Sequence, residues 1–194
     1  MQRKALDRLV SWVGLSLAVL LIVAGSLLTW AHSFVSHEVK TQLSQQQIFF
    51  PAAGSPAIAA PEFSAMNTYA GQQLTTGAQA ETYADHFIAN HLKTIGGGQT
   101  YAQLSTQAQA DPTNTKLAAT VNEMFKGQTL RGLLLNAYAF GTMATIAGIA
   151  AVAAFVGAVV MFLLTGLGLW HSGRTPASET VFDGSHEAIP VPAR

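Results

Sequence analysis

From Leu9 to Ala31 the chain reads LVSWVGLSLAVLLIVAGSLLTWA, 23 residues without an acidic or basic side chain. As a helix this run spans about 35 Å, enough to cross a hydrocarbon core of about 30 Å. Its twelve Leu, Ile and Val residues favour insertion by roughly 4–7 kcal/mol before small and polar residues subtract. Trp12 and Trp30 lie near its two ends, where indoles prefer the headgroup level. A cleaved signal peptide is the competing reading, with Thr29 and Ala31 ahead of a cut. Signal apolar cores run only about 7–15 residues, which favours a retained anchor.

A second run, GLLLNAYAFGTMATIAGIAAVAAFVGAVVMFLLTGLGLWHSG, fills the interval between Arg131 and Arg174 without Asp, Glu, Lys or Arg. It is longer than a bilayer needs. Tyr138 and Trp170 mark its interfaces, and Gly157 alone is too weak a break to split it, so one tilted or protruding span is expected. Arg3, Lys4 and Arg8 crowd the flank before the first run, and only Lys40 follows within ten residues of its end. The positive-inside rule therefore puts the N-terminus in the cytoplasm, and a second span returns the C-terminus there.

Between the runs, Phe34, Val35, Val39 and Leu43 recur at helical spacing, predicting that the first helix continues to about Gln46. Three prolines in PAAGSPAIAAPEF predict an extended linker over 51–67. Beyond it Ala80, Ala84, Phe87, Ile88, His91 and Ile95 fall on one face of a helix that Gly96-Gly97-Gly98 should stop. Thr100 and Gln103 have capping-box spacing, followed by an apolar edge of Tyr101, Leu104 and Ala108. Asp111 with Pro112 predicts the next helix start, with Leu117, Val121, Met124 and Phe125 as its buried stripe and Gly127 as its end. No strand alternation or internal repeat is visible.

Charged residues make up only 10% of the chain, ten acids against ten bases, where soluble domains carry about 25%. The balance provides no basic patch for nucleic acid, and the absence of cysteine excludes disulfides and thiolate metal sites. The stretch GAQAETYADHFIANHLKTIGGGQTYAQL, Gly77 to Leu104, holds the densest chemistry. An iron centre needs two histidines and a carboxylate on one face. His86 and His91 stand five residues apart, about 140° round an α-helix, and Glu81 and His86 have the same spacing. Glu81 and Asp85 share a face as solvated acids, His91 is expected to pack and His86 to be exposed. His32 and His37 could reach such a site only across space. No phosphate loop or nucleophile elbow is present. Catalytic, cofactor-binding and metal residues are therefore none.

The second span is equipped for packing. Ala144 and Gly148, then Ala150, Ala154 and Ala158, with Gly157 beside them, form rows of small residues that let helix backbones approach. Neither span carries an ionisable residue, which argues against proton relays and voltage sensors. Arg131, at the start of LRGLLLNAYAFG, stands where a helix meets the outer interface and could pair with lipid phosphate or an acidic partner. Trp12, Trp30, Arg131, Tyr138 and Trp170 are the expected interface anchors.

The cluster AQAETYADHFIANHLKTIGGGQTYAQL, with LRGLLLNAYAFG leading into an Ala/Gly-rich span, resembles a group of small two-span actinobacterial membrane proteins that carry the label "aromatic ring-opening dioxygenase LigA". The resemblance covers roughly residues 77–168, and its label implies an iron-dependent oxygenase. A looser similarity is to accessory subunits of respiratory supercomplexes.

The expectation is thus an all-α membrane protein. Residues 1–8 lie in the cytoplasm and 9–31 cross the membrane. Residues 32–138 form a small extracytoplasmic helical domain, 139–170 cross back, and 171–194 form a disordered cytoplasmic tail. The expected role is a non-catalytic accessory or scaffolding subunit that uses no cofactor, its partners being the bilayer and either another membrane protein or further copies of itself. The alternatives are an extracytoplasmic ligand or stress sensor and, further off, a metal-dependent enzyme using His86, His91 and Glu81.

Overall fold

The first apolar run carries no proline or helix stop, and the computed structural model, which describes residues 3–174, extends it into one helix. This helix, α1, covers Arg3–Gln45, 43 residues and about 65 Å. The second run lies in α5, Thr115–Arg174, a single helix of 60 residues. Their most apolar windows have mean hydropathy 2.2 and 2.6, yet only 17% and 11% of those windows are buried within the chain. A core helix of a soluble protein would be mostly covered by its own fold. Both helices are therefore long and apolar enough to cross a membrane, and most of that apolar surface is left to whatever surrounds it.

Between them lie two 3-10 segments, Pro56–Ile58 and Pro61–Tyr69. These are followed by α2 (Gly77–Thr82), a π-helical turn (Tyr83–Ile88), α3 (Ala89–Ile95) and α4 (Tyr101–Ala110). No strand occurs among the described residues, only one isolated antiparallel bridge between Phe49 and Gln73. The described residues divide into two compact units, one containing 3–29 with 149–174 and the other Trp30–Gly148. Of the tail expected over 171–194, residues 171–174 instead continue α5, and the rest, from 175 onward, lies outside the described residues.

The first unit pairs α1 with α5 through small residues. Ser11, Ala18 and Gly25 of α1 and Ala151, Ala158, Thr165 and Ser172 of α5 are buried, each set repeating every seven residues. A methyl added at Gly14 would stand 2.7 Å from Thr165 Oγ1, one at Gly25 3.0 Å from the Phe155 ring, and one at Gly168 2.7 Å from Ser11 Oγ. The two backbones approach because nothing larger than hydrogen separates them at these levels.

The second unit has a core of Leu43, Phe50, Ile58, Met66, Leu74, Ala80, Ala84, Ile88, Leu92, Leu104, Met124 and Leu134. The linker expected to be extended is instead the two 3-10 segments, and it places Ile58 and Met66 in this core. Proline at each first position has no N–H to leave unsatisfied and a φ already suited to a helical turn.

The face expected along 80–95 also changes. The buried residues are Ala80, Ala84, Ile88 and Leu92, while His91 is exposed and Ile95 is 42% exposed. Steps of four overshoot an α-helical turn by about 40° each. The wider π turn, in which Ala89 N–H donates to Ala84 O, absorbs that overshoot and keeps all four residues on one face.

The triple glycine stops α3 as expected. Gly97 and Gly98 take φ of +59° and +81°, and Gly98 N–H and Gly97 N–H donate to Lys93 O and Thr94 O at 2.8 and 3.1 Å, the bond pair of a Schellman motif. Thr100 and Gln103 form the expected capping box.

Asp111, expected to cap the next helix, instead ends α4 and accepts from the Thr113 hydroxyl at 2.8 Å. Asn114 is the cap, its Oδ1 accepting from Leu117 N–H at 3.0 Å. Phe125 is 54% exposed rather than buried, and α5 runs straight through Gly127. That glycine serves a close approach: a methyl there would run into Leu92 Cδ2.

Candidate functional site

Helix α2, the π turn and α3 carry the acids and histidines of the Gly77–Leu104 stretch. Asp85 is turned to α5, where Arg131 donates to its Oδ1 at 2.6 Å. Both side chains keep about a third of their surface exposed, 38% and 33%, so the pair contributes at most about 1 kcal/mol. Arg131, expected to meet lipid or a partner, is thus engaged within the chain.

His86 is exposed. The His91 ring lies against Phe87 and Phe63, with centroids 4.4 and 5.1 Å apart, and its Nδ1 donates to Phe87 O at 2.8 Å. Among the described residues no three His, Cys, Asp or Glu side chains gather where one ion could be held. His86, His91 and Glu81 are not among any such group. Tyr83, on the same turn, packs edge-on to Phe50 at 5.4 Å, and burial raises its phenol above the ordinary 10.0.

The small residues singled out in the sequence lie mostly on faces covered within the chain. In the first unit Ala158 is buried, Ala150, Ala154 and Gly157 are partly covered, and a methyl on Gly157 would touch Leu21 at 3.3 Å. Trp12 and Trp170 are 65% and 60% exposed, and the Arg174 guanidinium sits 3.9 Å above the Trp170 ring.

In the second unit Ala144 is buried and Gly148 faces His32, whose Nδ1 lies 2.7 Å from Ala144 O. A carbonyl only accepts, so Nδ1 carries the proton. Metal-ligand spacing does not reveal this role. The signal was the place of His32 in the seven-residue series Ser11, Ala18, Gly25, His32. Trp30 is 66% exposed and stacks on Phe34 at 5.6 Å, and Tyr138 is half-buried.

The second unit also holds a groove that no sequence motif announces. It lies between Phe34–Gln46 and Leu130–Phe140, with a cavity volume of about 470 Å³, within the roughly 300–1,000 Å³ of small-molecule sites. Phe34, Leu133 and Phe140 in its walls are each more than half exposed. Among the described residues its polar lining is Glu38, Gln42, Gln46 and Asn136, without a cation. Gln42 Nε2 donates to Glu38 Oε2 at 3.3 Å.

These features define an all-helical chain with two helices long and apolar enough to cross a membrane. No family model, curated protein or solved structure matches it.

Proposed function

We propose that this chain is a membrane-embedded helical hairpin with both termini in the cytoplasm and its second unit on the opposite side, serving as a non-catalytic accessory or scaffolding subunit of a membrane complex. The observation that carries this is how its apolar residues are divided. Small residues are spent on pairing α1 with α5, which fixes the hairpin. Ile149, Val152, Val156, Val159 and Leu163 of α5, each more than half exposed, repeat at spacings of three and four. A partner helix would meet that row as knobs. The basic residues Arg3, Lys4 and Arg8 before the first span support the orientation.

Blue-native electrophoresis of a gentle detergent extract tests the role. Migration in a larger assembly is expected, and migration as a lone monomer contradicts it. Stoichiometric iron or zinc in the purified protein would favour the enzyme reading instead. A second reading, an extracytoplasmic ligand sensor, is favoured by one observation, the open groove beside α1.

A further inference from the structure

We infer that the groove between Phe34–Gln46 and Leu130–Phe140 binds a long-chain amphiphile with an uncharged, hydroxyl-bearing head, taken from the adjoining leaflet. The inference rests on the membrane placement proposed above.

Two observations select this occupant. The first is continuity with lipid. Trp12 and Trp30 are about 27 Å apart along α1, close to a hydrocarbon thickness, so Trp30 marks one interface. Phe34 stacks directly on Trp30 at 5.6 Å and forms one end of the groove. From there the groove follows α1 for about 16 Å to its end, where Gln46 closes the lining. On α5 the wall residue Phe140 is followed by Met143 and Ile146, both exposed, toward the apolar span. An apolar chain can thus pass from the bilayer into the groove without crossing water, whereas a soluble ligand would find its apolar walls from the aqueous side.

The second observation is charge. Glu38 and Gln42 on α1 and Gln46 just past its end follow one another every four residues, so polar groups line the part of the groove farther from Trp30. Among the described residues the lining has one carboxylate and no cation. A phosphate head would face Glu38 with no counter-charge, an unfavourable pairing in a partly apolar site. A hydroxyl head can donate to the carboxylate and accept from the side-chain amides of Gln46 or Asn136. The binding step is noncovalent, with the chain packed on Val35, Leu133 and Phe140.

Photolabelling tests this with the full-length protein in phosphatidylcholine vesicles. One trace probe is a hexadecanol carrying a mid-chain diazirine, and the other is phosphatidylglycerol with the same diazirine on its chain. Peptide mass spectrometry locates the adducts. The expected result is hexadecanol label on 34–46 and 130–140 exceeding phosphatidylglycerol label there by about tenfold, after each is normalised to its own label on 149–169. Leu133 is 61% exposed, so its substitution leaves the core intact. Leu133→Glu should lower groove labelling by hexadecanol about tenfold, and Leu133→Lys should admit the phosphatidylglycerol probe.

Label on 149–169 without label in the groove overturns the inference while leaving the membrane placement standing. Absence of label at 149–169 overturns the placement itself. Equal groove labelling by both probes, or cross-links between copies in place of lipid adducts, also overturns the inference.

Discussion

Gly148→Ala should destabilise the protein, although the same change usually stabilises a helix. Replacing a helix-interior glycine by alanine is worth about 1 kcal/mol in propensity. Here the new methyl would stand 2.9 Å from His32 Nδ1 and 3.2 Å from two ring carbons. The ring cannot simply swing away, because Nδ1 is held to Ala144 O at 2.7 Å. Overpacking of this kind costs about 1–3 kcal/mol, and losing the hydrogen bond adds about 1 kcal/mol. The net expectation is a loss of about 1–3 kcal/mol. In a His32→Ala background both penalties vanish, so Gly148→Ala should then stabilise by up to about 1 kcal/mol. A double-mutant cycle of reversible unfolding in mixed micelles reads the coupling, expected at about 2–4 kcal/mol. If Gly148→Ala has the same sign and size in both backgrounds, His32 does not lock these helices together.

The same helix supplies a contrast: a methyl at Gly132 meets nothing within 4 Å, so Gly132→Ala should stabilise by about 1 kcal/mol. Gly127→Ala, forced against buried Leu92, should destabilise despite the propensity gain when both are compared by thermal unfolding. Arg131→Gln should cost about 1 kcal/mol or less, and the difference from wild type should shrink in 1 M salt, where screening shortens to about 3 Å. Burial raises the Tyr83 phenol above 10.0, so the folded state holds that proton more tightly than the unfolded chain. The resulting stability is complete below pH 10.0 and is lost as pH rises from there through the folded value. Tyr83→Phe should show a shallower alkaline decline in denaturant titrations at successive pH values.

Much of the helical plan was legible because its signals are local or long. Charge-free runs announced α1 and the apolar part of α5, and Thr100 with Gln103 and the triple glycine marked helix ends through bonds a few residues apart. The errors arose where tertiary packing chose among local options. No spacing rule inserts a π turn, yet without one Leu92 could not join Ala80, Ala84 and Ile88 in the core. Three prolines disfavoured α-helix correctly, but 3-10 turns satisfied them while burying Met66. Gly127 read as a helix end because the sequence does not show that Leu92 lies against it. Asp85 with Arg131 and the apolar groove join segments 46 or more residues apart, beyond the reach of periodicity.

Cysteine accessibility tests the membrane hairpin most directly, because the chain has no native cysteine. Ala5, Ala110 and Gly173 are exposed positions in α1, α4 and α5, and each can carry a single cysteine in turn. An impermeant maleimide added to intact cells should label Ala110→Cys at once, and Ala5→Cys and Gly173→Cys only after the membrane is opened. Labelling of all three from the same side would contradict a hairpin that crosses the membrane twice.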